Sequence, residues 1–110
     1  MTTLWYYVRD LAAARTFYTS KLGFSETWVD EARTWAKLER AGIEIGLSEG
    51  EPDKDGAVAH VDVDDVRSVA DEFRAAGVDV GVVFELHGQM RLVDVLDLDG
   101  NRLQFAEEVS

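Results

Sequence analysis

The stretch Asp97-Leu98-Asp99-Gly100-Asn101-Arg102-Leu103-Gln104-Phe105 joins a tight turn to a strand. Asp, Gly and Asn tolerate positive φ, so the chain can reverse sharply at Asp99-Gly100-Asn101. Beyond the turn, Leu103 and Phe105 fall on one face and Arg102 and Gln104 on the other, because strand side chains alternate. What Gln104 does on its face depends on the elements that lie upstream.

Those elements occur twice. Leu4 to Val8 is rich in aromatic and β-branched residues and reads as a strand. Asp10 is a good N-cap, Leu11, Ala14, Tyr18 and Leu22 recur at helical spacing, and Gly23 ends the helix. Strands follow over Phe24–Val29, Thr34–Glu39 and Ile43–Leu47, separated by turns at Asp30-Glu31-Ala32 and Ala41-Gly42. The segment around residues 50–56, dense in Gly, Asp and Glu and holding Pro52, reads as a linker. The pattern then restarts, with a strand to Val63, a helix opened by Asp65 and striped by Val66, Val69, Ala70 and Phe73, and Gly77 as its stop. Strands over Val82–Leu86 and Met90–Leu96 flank a turn at His87-Gly88-Gln89, and the last strand runs from the opening turn to about Glu107. The expected fold class is α+β. Two βαβββ modules, about residues 1–49 and 57–110, make a single pseudo-symmetric domain in which one helix covers one face of each mixed sheet. The other sheet faces are left to form a cleft.

Composition narrows the function classes. The 110 residues carry 22 acidic and 11 basic groups, a net charge of −11, which argues against nucleic acid, whose phosphates need clustered Lys and Arg. The same field favours the approach of a cationic small molecule. No cysteine is present, so disulfides, zinc–thiolate sites and thiol nucleophiles are excluded. There is no apolar run long enough to cross a bilayer and no charged-then-apolar leader, so a cytoplasmic soluble protein without a membrane partner is expected. No serine has the setting of a nucleophile elbow, and Gly-rich phosphate loops are absent.

Val8-Arg9-Asp10-Leu11 with Phe17-Tyr18 and Leu22-Gly23-Phe24, then Val63-Asp64-Asp65-Val66 with Ala75-Ala76-Gly77-Val78, and finally Asp97-Leu98-Asp99-Gly100-Asn101 together resemble the vicinal-oxygen-chelate superfamily, also called the glyoxalase/bleomycin-resistance/dioxygenase fold. Leu98 stands where that family usually has proline. The resemblance implies the paired-module fold and, for small members, a homodimer in which each cleft takes one half from each chain. It leaves function open, because the superfamily holds isomerases, dioxygenases, thiol transferases and drug binders that do no catalysis. In its metalloenzymes the ligand positions correspond to Thr3, Glu44, Val58 and Gln104. A catalytic dication wants three or more imidazole or carboxylate ligands. Val58 offers none and Gln104 only a neutral amide. His60 could shift a ligand set by one pleat, but no second histidine is near. No metal and no other cofactor is expected.

Strand alternation directs Leu4, Tyr6 and Val8, and Ala59, Val61 and Val63, toward the helices. It leaves Thr3, Trp5 and Tyr7, and Val58, His60 and Asp62, on the opposite faces, with Glu44 and Gln104 beside them. Trp28 and Trp35 face either the same cleft or the core, since the turn between them can slip register. Packing alone would also explain Trp5 and Tyr7. The Glu107-Glu108 tail reads as solvated. The candidate ligand-binding residues are therefore Trp5, Tyr7, Trp28, Trp35, Glu44, His60, Asp62 and Gln104, with no catalytic residue assigned. Their aromatic planes suit stacking and cation–π contact, and their polar groups suit orientation by hydrogen bonds. The expected function is metal-independent binding and sequestration of an antibiotic or other aromatic or cationic natural product, similar to the bleomycin-resistance proteins. The alternatives are a metal-dependent enzyme of the same superfamily and a cofactor-free biosynthetic enzyme with His60 or Asp62 as base.

Overall fold

The computed structural model describes residues 3–53, 56–86 and 88–109; His87, expected in a turn, and the middle of the linker lie outside them. The elements are β1 (Thr3–Val8), α1 (Leu11–Ser20), β2 (Ser25–Val29), β3 (Trp35–Arg40), β4 (Ile43–Glu49), β5 (Ala59–Asp62), α2 (Val66–Ala75), β6 (Asp79–Val80), β7 (Phe84–Leu86), β8 (Met90–Leu96) and β9 (Arg102–Glu108). They form two mixed sheets. The first has the order β1-β4-β3-β2, and the second β5-β9-β8-β6, with β7 also on β8. In each, the strand that enters the helix runs parallel to the last strand of its unit.

The sequence repeat is visible atom by atom. Asp10 and Asp65 cap α1 and α2 by accepting from the amides of Ala13 (3.1 Å) and Ser68 (3.2 Å). A second carboxylate reaches each helix from the parallel partner strand: Glu49 accepts from Leu11 N–H at 3.1 Å and Glu107 from Val66 N–H at 3.0 Å. Helix starts leave amides unsatisfied and attract negative charge, so both glutamates are structural. Glu107 is thus not solvated as its place near the C-terminus suggested; Arg91 also holds it, at 3.4 Å. Gly23 and Gly77 close the helices at φ of 74° and 81°, a region that costs a side chain energy.

The second unit departs from its expected pattern at one edge. In place of one strand over Val82–Leu86 there are two short ones, β6 and β7. Gly81 N–H still bonds Asp94 O at 2.8 Å, but Phe84 already pairs Leu92. Val82 and Val83 therefore share the place opposite Val93. This is a bulge, and it throws Val82 outward to 82% exposure while Val83 packs inward. The first sheet has a matching irregularity at its own edge, between Glu26 and Trp28. Both bulges sit on edge strands, where they disturb the regular row of free backbone groups that invites unwanted pairing.

A single core runs through both units, from Tyr6, Val8, Leu11 and Tyr18 to Val66, Phe73, Val93 and Phe105. The opening turn holds the units together. Asp97 is only 7% exposed, and it forms no ion pair among the described residues. Its carboxylate instead accepts from Tyr18 O–H (2.7 Å), the amides of Asp99 and Asn101 (2.9 Å each) and Asn101 Nδ2 (3.0 Å). Asn101 Nδ2 also donates to Tyr7 O at 2.9 Å. Tyr6 completes the seam: its hydroxyl donates to Arg102 O at 2.6 Å and accepts from Ala59 N–H at 2.8 Å. The Arg40 guanidinium donates to Leu22 O at 2.5 Å and lies 5.3 Å from the centre of the Phe105 ring.

Removing the Asp97 carboxylate strands buried donors that water cannot reach. Asp97→Ala is expected to lower the free energy of unfolding by about 3–5 kcal/mol in urea titration, and a loss below about 1 kcal/mol would show that the seam holds otherwise. Burial, opposed in part by the Ala59 amide, pushes the Tyr6 hydroxyl up to about 12, and burial beside Asp97 raises Tyr18 well above the ordinary tyrosine value. Above the ordinary pKa of about 10 the unfolded chain has lost these protons and the folded chain still holds them, so stability falls as pH rises from there through about 12. Absorbance titration near pH 11 should find both phenols still protonated while the protein stays folded.

Candidate functional site

The open face of the first sheet, opposite α1, is built by alternation. On β1, Tyr6 and Val8 are buried, while Trp5 and Tyr7 are 46% and 45% exposed. On β3, Ala36 and Leu38 are buried and Trp35 and Lys37 alternate with them. Register then assembles the face: Trp5 pairs with Gly46, Gly46 with Lys37, and Lys37 with Trp28. The bulge after Glu26 decides where Trp28 points. Glu26 turns to the helix side, where it meets Arg15, and Trp28 turns to the open face at 44% exposure.

Three indoles meet there. Trp28 and Trp35 have ring centres 4.0 Å apart, and Trp5 and Trp35 5.5 Å apart. Trp5 lies flat on β4 because Gly46 has no side chain; a β-carbon there would run into the indole ring. Tyr7 covers Gly50 at the strand end in the same manner. Beside this platform Glu44 accepts from Thr3 Oγ1 and stands 3.9 Å from Lys37 Nζ. The Lys37 ammonium is also 5.8 Å from the centre of the Trp35 ring.

The open face of the second sheet is different in kind. His60 Nε2 lies 3.4 Å from Asp62 Oδ1. His60 pairs with Gln104, and Gln104 with Asp94, whose carboxylate takes the amide Nε2 at 3.2 Å and Arg102 at 3.8 Å. Phe84 and Leu86, each 43% exposed, extend the face toward the sheet edge. A hollow of about 510 Å³ opens at one end, against Asp62, Met90, Ala106 and Glu108.

The register makes residues of the two sheets equivalent. Thr3, Trp5 and Tyr7 correspond to Val58, His60 and Asp62, Gly46 to Gln104, Lys37 to Asp94 and Glu44 to Arg102. The Lys37–Glu44 pair of one face thus recurs on the other as Asp94–Arg102, with its charges reversed.

Of the eight residues singled out in the sequence, Trp5, Tyr7, Trp28, Trp35 and Glu44 share the first open face and His60, Asp62 and Gln104 the second. Trp28 and Trp35 face outward. Lys37, Asp94, Phe84 and Leu86 escaped notice, although alternation along Trp35-Ala36-Lys37-Leu38 was enough to find Lys37. The four positions that the resemblance assigns to a metalloenzyme's ligands, Thr3, Glu44, Val58 and Gln104, present a donor set that does not fit a dication. Val58 has no donor atom, Gln104 is engaged by Asp94, and Glu44 by Thr3 and Lys37. No group of three or more His, Asp or Glu among the described residues could hold a metal.

The profile of the Glyoxalase/Bleomycin resistance protein/Dioxygenase superfamily matches residues 2–105, so the chain belongs to that superfamily. No curated protein matches it. Its fold is similar to that of an integron cassette protein from the mobile metagenome of the Halifax Harbour sewage outfall (22% identity, 97% of each chain covered, TM-score 0.84). It is likewise similar to a bleomycin resistance determinant encoded on the transposon Tn5 (17% identity, 98% of this chain and 97% of that one, TM-score 0.81). The bleomycin-binding protein of bleomycin-producing Streptomyces verticillus, solved with copper(II)-bleomycin, is 24% identical over 94% of this chain and 92% of that one, with a TM-score of 0.75.

The Trp5–Gly46 contact can be tested directly. Gly46→Ala should lift the indole off β4, cost about 2 kcal/mol of stability and alter the near-UV circular dichroism of the coupled tryptophans. An unchanged spectrum would mean that Trp5 does not lie on that strand.

Proposed function

We propose that this chain binds and sequesters an aromatic natural product, of which an antibiotic is the leading class, without a metal ion and without turnover. The observation that carries the reading is the platform of Trp5, Trp28 and Trp35 on an open sheet face. Trp5 and Trp28, each nearly half exposed, give up part of a burial worth about 1.5–3 kcal/mol for a large side chain, and a flat ligand recovers it by stacking. Clusters of exposed aromatic rings beside a few oriented polar groups are how proteins make small-molecule sites. The structural similarity to the Tn5-encoded bleomycin resistance determinant and to the Streptomyces verticillus bleomycin-binding protein supports the same reading.

In this proposal the binding unit is a cytoplasmic homodimer. The tryptophan face of one chain is covered by the His60, Asp62 and Gln104 face of its partner, and the ligand lies between them. The bulk acidity of the chain favours ligands that carry positive charge. A second reading rests on the His60–Asp62 pair at 3.4 Å, next to Gln104: a general base on the second sheet could serve a cofactor-free enzyme.

Titration with a panel of planar or cationic antibiotics, including rings that carry carbonyl, phenolate or carboxylate groups, should quench tryptophan fluorescence to saturation at one ligand per cleft, and Trp35→Ala should weaken binding about tenfold or more. Light scattering should give twice the 12.3 kDa chain mass. Unchanged fluorescence across the panel would sink the binding reading. Product formation that is lost in His60→Ala would favour the enzyme.

A further inference from the structure

Lys37 stands at the centre of the tryptophan platform. Its cross-strand partners are Trp28 on β2 and Gly46 on β4, Trp35 precedes it by one pleat, and Trp5 covers Gly46. A lysine so placed borders the site, because its neighbours across both strands and on one side along its own are the stacking rings or the glycine beneath one of them, with Glu39 on the other side. The Lys37 side chain is 36% exposed, and the ammonium lies 5.8 Å from the Trp35 ring centre. Glu44 balances it at 3.9 Å, and the Glu44 carboxylate is shared with Thr3. An ammonium has three donors, so one directed at Glu44 leaves others for the cleft.

We propose that Lys37 sets the charge preference of this face: it selects planar aromatic ligands that present an acceptor oxygen (a carbonyl, phenolate or carboxylate) at the ring edge, and it excludes a ligand's own cation from the face of Trp35. The inference rests on the binding reading above and names the ligand class for the tryptophan half of the site. The ring quadrupole attracts one cation to a face, and the chain supplies that cation itself. A ligand ammonium would have to displace Lys37 from both Trp35 and Glu44. An acceptor gains a charge-assisted hydrogen bond without displacing anything. The charge reversal on the second sheet assigns the other end of the ligand. Asp94 occupies the position equivalent to Lys37, so a ligand with an acceptor-bearing ring and a cationic arm has one end matched to each face.

The test uses the full chain and two probes with the same ring system and opposite charge, anthracene carboxylate and anthracenylmethylammonium, followed by tryptophan quenching. Lys37→Met keeps the stem and removes the charge. It is expected to weaken the carboxylate about tenfold and to strengthen the ammonium by a similar factor. Lys37→Arg should restore the preference for the carboxylate, and Asp94→Asn should weaken the ammonium alone. The net negative charge of the protein acts on wild type and variants nearly alike, so the ratio of the two affinities isolates Lys37. If both probes bind and Lys37→Met changes them by the same factor, or by less than about twofold, Lys37 does not select charge and only this inference falls. If neither probe quenches wild type or variant, the platform is not a binding site and both readings fall.

Discussion

The buried carboxylate of Asp97 is the constraint on which the rest of the structure depends. A charge held away from water without a cation must be met by hydrogen bonds, or it will not stay charged or buried. Here the donors come from its own turn, from Asn101 and from Tyr18 of the first helix. Local donors fix the turn, and the Tyr18 hydroxyl fixes the turn to the other unit. Asn101 carries the link on to the backbone at Tyr7. One acidic residue therefore sets the register of β9 and the seating of the two units together. The strand that begins at Arg102 cannot slip without breaking these bonds, so Gln104 stays beside His60 and Asp94.

The two units share one plan and diverge on their open faces. Helix caps, carboxylates from the parallel strand, glycine stops and edge bulges repeat because each solves the same backbone problem in each copy. The open faces answer to no such requirement. On the first, glycine and a bulge make room for three indoles. On the second, the equivalent positions hold His60, Gln104 and Asp94. The reversal of the ion pair between Lys37–Glu44 and Asp94–Arg102 makes the faces unlike in charge as well as in shape. Repetition serves the fold, and the departures from it fall on the two open faces.

Much of this was legible in the letters. The Asp openers, the helical stripes and the Gly stops give both helices, and alternation along β1 and β5 gives the outward facing of Trp5, Tyr7, His60 and Asp62. The facing of Trp28 was not legible, since it turns on a bulge of one residue whose presence depends on pairing with β3. The broken edge strand at Val82-Val83 was hidden for the same reason. Glu107 looked like part of a charged tail, and only the approach of the α2 amide at Val66 makes it a cap. Such errors share a cause: they concern groups whose partners lie far away along the chain.

By itself the sequence determined the class of fold, the doubled unit, the absence of thiol chemistry and the poverty of metal ligands at Thr3, Val58 and Gln104. These follow from residue type and short-range periodicity, which the backbone reads locally. Tertiary structure alone decided that three tryptophans from three strands come together, that Lys37 sits among them, and that its counterpart on the second sheet is an aspartate. Those facts depend on register between strands, and register is fixed by the summed packing and hydrogen bonding of the whole sheet.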